Sequence, residues 1–120
     1  MRYADGFLIP IPKKNVQAYR RMAQRAGKIW KEHGALEYCE CAGDDIRLKP
    51  GMGVPFPRVT KLKRNETVFF SWIVYKSRAH RDRVIAKVMK DPRIVKMVSE
   101  EMPFDVGRMV YGGFKMMVDL

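Results

Sequence analysis

The chain has 120 residues, of which 47% are hydrophobic and 31% charged, and its formal net charge is +11 with a pI near 10.0. This length suits one domain of residues 1–120 with its own core, and the composition excludes a disordered tail. No apolar run approaches the roughly 20 residues that cross a bilayer, and residues 1–14 do not resemble a secretion signal. We therefore expect a cytoplasmic protein with no membrane partner, whose charge favours anionic partners.

Apolar residues in alternate positions predict a first strand over Tyr3 to Ile11, and two nearby prolines either end this strand or mark it as a sheet edge. A stripe of apolar residues at helical spacing predicts a helix from about Lys14 to Glu32. Asn15 is a candidate N-cap for this helix, and Gly34 is typical of a C-terminal stop. A second strand is expected over Ala35 to Ala42.

The middle of the chain predicts a long loop followed by a buried strand. Residues 43–57 are rich in proline and glycine, and a loop of this length is usually functional or mobile. A short extended segment is expected over Arg58 to Lys63. The strand that follows, Thr67 to Lys76, is apolar on both faces, so both of its faces must be covered.

The last third of the chain predicts two helices and a strand. Ser77 is a candidate N-cap for a helix that runs to Lys90, and Asp91 precedes a proline that begins a shorter helix through Ser99. The final strand is expected over Arg108 to Val118, where two adjacent glycines indicate a bulge or a close approach by backbone or ligand. The order β-α-β-β-α-α-β is the split βαβ plan, which predicts an α+β fold with an antiparallel sheet and helices on one side.

The split βαβ plan leaves one face of the sheet bare, although the third and fourth predicted strands carry apolar side chains on both faces. A second copy of the chain is the economical cover, and a stable interface buries on the order of 800 Å² per subunit. We therefore predict a homodimer packed sheet to sheet, which is a dimeric α+β barrel.

Three strings of residues also resemble a known family: WKEHGALEY over residues 30–38, FSWIVYKSRAHRD over 70–82, and MPFD with RMVYGGF between 102 and 114. They are similar to the YbaA-like family of small bacterial proteins, and the resemblance covers essentially the whole chain. That family is related in fold to the dimeric α+β barrel superfamily, so the resemblance implies a ferredoxin-like dimer. It has no established activity, and the resemblance therefore implies no catalytic residue.

In that superfamily a small substrate often lies between sheet and helices, so the resemblance implies a pocket there. Glu37 shares a strand face with two cysteines and is a candidate acid or base if that face is interior, and a solvated residue otherwise. His33 ends the first helix, where its charge would suit the helix dipole. Ordinary core and interface packing is the alternative for the aromatic residues. The candidate pocket residues are His33, Glu37, Trp72, Tyr75, His80 and Arg108.

A second candidate site is a basic stripe on the first predicted helix. Its cations lie within roughly 140° of the helix surface, opposite the apolar stripe. They indicate either a solvated outer face or an anion-binding and nucleic-acid-binding surface, and no RNP-type aromatic pattern, GxxG loop or zinc finger supports the second interpretation. The basic stripe consists of Lys13, Lys14, Arg20, Arg21, Arg25, Lys28 and Lys31.

The remaining motifs restrict the chemistry. Cys39 and Cys41 are too far apart along a strand for a disulfide and lack partners for zinc, so two reduced thiols are expected. No P-loop, dinucleotide fingerprint, HExxH or GxSxG sequence occurs, and we expect neither cofactor nor metal.

The leading hypothesis is therefore a homodimer that binds a small anionic or aromatic molecule, with or without transforming it. The alternatives are a nucleic-acid-associated protein that uses the basic stripe, and a structural interaction module.

Overall fold

The computed structural model of the protein describes residues 1–47 and 51–120. Its antiparallel sheet has the strand order β2-β3-β1-β4, with β1 at Tyr3–Pro12, β2 at Glu37–Ala42, β3 at Glu66–Tyr75 and β4 at Val110–Lys115. The helices are α1 at Val16–Glu32, α2 at Phe56–Val59, α3 at Arg78–Lys90 and α4 at Pro92–Ser99. This architecture confirms the predicted α+β fold with a ferredoxin-like split βαβ order.

The helices α1, α3 and α4 cover one face of the sheet, which we call the covered face. Near one end of the sheet, Ala26 and Ile29 of α1 pack with Ile73 of β3 and Val84 of α3. Near the other end, Tyr19 of α1 packs against strand residues such as Ile9 and Phe69. Alternation along the strands therefore sends every second side chain into these two clusters.

The opposite face of the sheet, which we call the open face, carries no helix layer from the residues that the structure describes. Its apolar side chains come from β1, β3 and β4, and three of them remain largely exposed: Phe70 at 46%, Val110 at 48% and Phe114 at 63%. The short helix α2 reaches the rim of this face, where the rings of Phe56 and Phe70 lie 6.1 Å apart. The prediction that the helices leave one apolar face bare is confirmed.

Two of the predicted caps are confirmed and one is wrong. Ser77 Oγ accepts a hydrogen bond from the backbone N–H of His80 at the start of α3, and Asp91 Oδ1 accepts one from Arg93 at the start of α4. Asn15 does not cap α1, because its side chain donates to the carbonyl oxygen of Pro103 instead. That bond ties the beginning of α1 to the segment that leads into β4.

The expectation of an extended segment over Arg58 to Lys63 is wrong. Residues 56–59 form α2, which begins after Pro55 and has Pro57 in its first turn, where the missing N–H of proline costs nothing. The chain then turns through Lys61, whose φ is +50°. The predicted loop over residues 43–57 includes residues 48–50, which lie outside the described residues.

The two ends of the sheet also differ from expectation. Of the two alternatives for the prolines of β1, the first is confirmed, because the strand ends at Pro12. It is not an edge strand, although β4 pairs with it only as far as Leu8. The last strand is shorter than predicted, because residues 106–108 form a 3-10 turn. Gly112 and Gly113 pair in register without a bulge. A Cβ atom at Gly113 would collide with the Tyr3 hydroxyl, so the close approach is made by a side chain of the protein itself.

Candidate functional site

A cavity of about 520 Å³ lies between the covered face and the helices. Its wall is mostly apolar and includes five methionines, Met22, Met89, Met97, Met102 and Met109. Its polar lining groups include Asp5, Glu40, Ser71 and Arg81, which come from β1, β2, β3 and α3. A wider groove of about 1200 Å³ runs between α1 and β2, but exposed side chains such as Arg20, Gln24 and Lys28 form its wall, so we take the inner cavity as the candidate site.

Strand register explains why carboxylates lie on the covered face. Asp5 pairs with Ile73 across β1 and β3, and Glu40 pairs with Ser71 across β2 and β3. Because paired residues of neighbouring strands project to the same side, all four side chains lie on the covered face. Two carboxyl groups are thereby placed beneath the helices, where an ordinary core would have apolar residues.

The carboxyl group of Glu40 is half satisfied. Its Oε2 accepts a hydrogen bond of 2.5 Å from the Tyr19 hydroxyl, whereas its Oε1 is buried and has no hydrogen-bond partner in the described part of the chain. Burial raises the pKa of Glu40 above its ordinary value. Burial, followed by the charge of Glu40, also raises the pKa of Tyr19, so the tyrosine stays a hydrogen-bond donor.

Asp5 is the second carboxyl group of the cavity, and only 4% of the residue is exposed. Arg81 Nη1 lies 3.5 Å from Asp5 Oδ1, yet this oxygen accepts no hydrogen bond from any residue that the structure describes. Burial raises the pKa of Asp5, and the positive charge of Arg81 opposes that rise. The site thus holds a second buried acceptor.

Arg81 is held beside Asp5 by its other contacts. Its Nη2 donates to the Tyr3 hydroxyl at 3.3 Å, and its guanidinium carbon lies 5.0 Å from the centre of the Tyr3 ring. Its Nε forms an ion pair of 3.1 Å with Asp82 on the surface. Arg81 therefore supplies a fixed positive charge at the Asp5 end of the cavity.

Aromatic side chains form one wall of the cavity. Trp30 Nε1 donates to the Tyr75 hydroxyl at 3.1 Å, and the rings of Trp30 and Tyr38 lie 6.2 Å apart. Burial raises the pKa of Tyr38 and of Tyr75, which keeps both hydroxyls protonated. Gly27 of α1 lies against the Tyr38 ring so closely that a Cβ atom there would be 2.6 Å from Cδ1. The missing side chain lets the ring lie flat beneath the helix.

The six residues that the sequence suggested for a pocket do not form one site. Tyr75 lines this cavity, and the His80 ring packs edge-on against the Tyr75 ring with centres 6.1 Å apart. His33 follows the end of α1, and its Nε2 lies 2.9 Å from Asp91 Oδ2. His80 Nδ1 accepts from the backbone N–H of Lys76 at 2.9 Å, and burial, followed by nearby cations, lowers its pKa. Arg108 Nη1 donates to Glu66 Oε2 at 2.6 Å. These three side chains hold together the ends of secondary-structure elements.

Glu37 and Trp72 lie on the open face. Glu37 pairs with Val74, is exposed and lies 3.4 Å from Arg2. The strand face that it shares with Cys39 and Cys41 is therefore the open face, and the carboxyl group of β2 that lies beneath the helices is that of Glu40. Period-two alternation groups Asp5 with Phe7 and Ile9, and Glu40 with Tyr38, but it does not say that the helices cover this face of the sheet.

The other predicted features lie on the surface. All seven cations of the basic stripe are exposed along the outer side of α1 and the turn before it. Both cysteines are free thiols on the open face. Within residues 1–47 and 51–120, no group of three or more His, Cys, Asp or Glu residues could hold a metal ion, and no helix there is long and apolar enough to cross a bilayer.

Comparison with known proteins places the chain in a family. The model of the family described as "Protein of unknown function (DUF1428)" matches residues 2–106. The chain belongs to this family. It is 44% identical over 119 residues to the uncharacterized protein YbaA of Escherichia coli K12, covering 99% of both chains, and equally similar to YbaA of Shigella flexneri.

Two solved structures share the fold at low sequence identity. One is SnoaB, a cofactor-independent oxygenase from Streptomyces nogalater, with a TM-score of 0.60, 10% identity, and coverage of 99% of this chain and 96% of that one. The other is a dimeric ferredoxin-like protein from an uncultured marine organism, with a TM-score of 0.57, 12% identity, and coverage of 99% and 98%. At these identities the likeness shows the fold alone. The comparisons lend no support to a nucleic-acid-binding role for the basic stripe.

Proposed function

We propose that the protein is a cytoplasmic homodimer that binds a small, largely apolar molecule in the cavity between the covered face and the helices. The observation that carries this proposal is the pair of buried carboxyl oxygens, on Asp5 and Glu40, that line this cavity without hydrogen-bond partners from the described residues. Buried polar atoms are nearly always hydrogen-bonded. A bound molecule is the partner that would satisfy both.

The dimensions and chemistry of the cavity support the same proposal. Ligand pockets commonly have volumes of about 300 to 1,000 Å³ and apolar walls with a few placed polar groups, and this cavity of about 520 Å³ has such a wall. Methionine side chains adapt their shape to flat ligands, and aromatic rings such as Trp30 and Tyr38 provide flat contacts. Two free thiols, Cys39 and Cys41, suit the reducing cytoplasm.

The open face supports self-association. Phe70, Val110 and Phe114 expose apolar surface on one side of the sheet, and a second copy would cover the same residues on both chains. One of the structural neighbours is a dimeric ferredoxin-like protein. We expect light scattering behind a sizing column to give about twice the chain mass of 14.0 kDa. A monomer at micromolar concentration would contradict this part of the proposal.

The two tryptophans allow a direct test of where a small molecule binds. Trp30 lines the cavity and Trp72 lies on the open face, so their indole N–H resonances report on the two sides of the sheet separately. We would titrate 2,6-dihydroxynaphthalene, a flat apolar molecule with hydroxyl donors, into the ¹⁵N-labelled protein, with each resonance assigned from Trp30→Phe and Trp72→Phe variants. The expected result is a saturable shift of the Trp30 resonance, with the Trp72 resonance unchanged. A shift of Trp72 alone, or of neither, would refute binding in the cavity.

A further inference from the structure

We infer that the cavity selects a flat apolar ligand with a hydroxyl group at each end, one for Glu40 and one for Asp5. This inference rests on the proposed binding function and assigns the chemical class of the ligand. Three buried side-chain atoms of the described residues make no hydrogen bond: Glu40 Oε1, Asp5 Oδ1 and Arg81 Nε. Arg81 Nε is ion-paired with Asp82 Oδ1 at 3.1 Å, so the groups left for a ligand are the two carboxyl oxygens, which are acceptors when ionised. A ligand that completes the site must therefore bring donors.

The spacing of the two carboxyl groups requires a ligand with two separate donors. Asp5 lies on β1 opposite Ile73, and Glu40 lies on β2 opposite Ser71, with β3 between them. Two strand spacings and an offset of two residues place the two Cα atoms about 12 Å apart. A hydroxyl group has one hydrogen and donates to one acceptor, so the ligand needs a separate hydroxyl for each carboxyl group, joined by a body that fills the space between them.

The surfaces between the two acceptors favour a flat aromatic body. Trp30 and Tyr38 stand on one side, and Phe7 stacks on Tyr111 with ring centres 6.1 Å apart. Thioether side chains such as Met97 complete the wall and pack well against ring edges and faces. A two-ring aromatic fits the space between the acceptors better than a flexible chain, which would lose more conformational entropy on binding.

The charges at the two ends favour hydroxyl donors over ammonium groups. Arg81 lies 3.5 Å from Asp5 Oδ1, so a ligand cation at that end would be placed next to a positive charge. At the other end the Tyr19 hydroxyl already shares the charge of Glu40. A neutral hydroxyl satisfies the free oxygen at each end without the desolvation of a buried cation.

The test compares ligands that share one skeleton and differ in their donors. Calorimetry with the full-length protein would measure 2,6-dihydroxynaphthalene, 2-naphthol and 2,6-dimethoxynaphthalene. We expect each added hydroxyl to tighten binding by roughly tenfold, because a buried acceptor left unpaired costs about 1 to 3 kcal/mol. Equal affinities for the three ligands would overturn the inference and leave the proposed binding function intact. Failure of all three to bind would refute the proposed function itself.

Variants of the two carboxyl groups test whether each of them accepts a hydrogen bond from a ligand hydroxyl. Glu40→Gln and Asp5→Asn are each expected to reduce the preference for the diol over 2-naphthol to about twofold or less. Glu37→Gln is the matched control, because this carboxylate is on the same strand but on the open face, and it should leave the preference unchanged. Circular dichroism would verify folding of each variant.

Two further outcomes would count against the inference. If the variants prefer the diol over 2-naphthol as strongly as the wild type does, the two carboxyl groups do not accept hydrogen bonds from the ligand hydroxyls. If 2,6-bis(aminomethyl)naphthalene binds more tightly than the diol, the donors are ammonium groups and the hydroxyl assignment is wrong.

Discussion

The two faces of the sheet reverse the usual distribution of polar and apolar groups. On the covered face, beneath three helices, lie the carboxyl groups of Asp5 and Glu40, each with an oxygen that accepts no hydrogen bond from the described residues. On the open face, apolar rings and branched side chains such as Phe70, Val110 and Phe114 remain 46–63% exposed. Each face is unfavourable by itself, but for opposite reasons.

The difference indicates what each face lacks. An unpaired buried acceptor is costly because it has lost water without gaining a donor, so the covered face lacks a donor-bearing molecule. An exposed apolar patch is costly because it orders water, so the open face lacks an apolar surface. A small molecule satisfies the first condition and a second copy of the chain satisfies the second. The following variants test the two sides separately.

The largest effect is expected from a charge on the open face. Phe70→Arg would place a cation at the centre of the proposed interface, and loss of a central aromatic contact costs about 2 to 4 kcal/mol, or roughly 30-fold to 1,000-fold in the dimer dissociation constant. Light scattering across a dilution series would measure this shift toward the monomer. Val95→Arg is the control, because Val95 is also exposed, at 52%, but lies on α4. A dimer equally stable in Phe70→Arg would remove the open face as the interface.

The next largest effect is expected at the covered face, where α1 meets β2. Gly27→Ala would bring a methyl carbon to 2.6 Å from the Tyr38 ring, which must then move. Overpacking of this kind costs about 1 to 3 kcal/mol, and the better helix propensity of alanine offsets part of it. Urea denaturation would measure the loss, with Gln24→Ala on the exposed side of α1 as control. Unchanged stability would mean that the ring moves freely.

A smaller effect, on the order of 1 kcal/mol, is expected from the buried charge of Glu40. Burial raises its pKa in the folded protein above the ordinary value of 4.5, so the folded state holds this proton more tightly than the unfolded state. This contribution to stability is complete below pH 4.5 and is lost as the pH rises through the raised pKa.

Glu40→Gln removes the ionisable group and with it this pH dependence of stability. The free energy of unfolding of the variant, relative to that of the wild type, should therefore increase as the pH rises from 4.5 through the raised pKa of Glu40. Denaturation curves at several pH values would measure the difference. The comparison with the wild type is necessary because other carboxyl groups have the opposite pH dependence. Hydrogen bonds from Arg93 and Arg108 lower the pKa of Asp91 and of Glu66, so the stability that these two groups contribute is lost as the pH falls. A constant difference between wild type and variant would contradict the raised pKa.

The smallest effect is expected on the outer side of α1, which belongs to neither face of the sheet. The double variant Arg21→Gln with Arg25→Gln should change the free energy of unfolding by less than about 0.5 kcal/mol and leave the mass in solution unchanged. The ratio of absorbance at 260 and 280 nm gives a second measurement. Nucleic acid that copurifies with the wild type, leaves at high salt and is absent from the variant would favour the rival interpretation of the basic stripe.

Much of this fold could be predicted because local signals agree with its long-range order. The apolar side chains on both faces of one segment predicted the buried central strand. Ser77 and Asp91 predicted the starts of two helices, and the structure confirms both caps. The helix α2 was missed because four residues are too few for a periodic pattern, and its prolines are typical of loops as well as of first turns.

The site was harder to predict, because alternation separates the two faces of a strand without saying which face a helix covers. Glu37 and Glu40 belong to opposite faces of β2, and only the packing of α1 makes Glu40 the interior carboxyl group. Asp5 lies among apolar neighbours in its strand, and the cation that faces it, Arg81, is 76 residues away along the chain. Such long-range pairings leave no local trace in a single sequence.

The methionine-rich wall of the cavity has a consequence in redox chemistry. Five of the nine methionines line the cavity, among them Met97 and Met102. Oxidation of a thioether to a sulfoxide turns a pliable apolar group into a rigid, strongly hydrogen-bond-accepting one. One such oxygen in this wall would compete with the carboxyl groups for the same donors. The apolar character of the cavity therefore holds only while these sulfur atoms stay reduced.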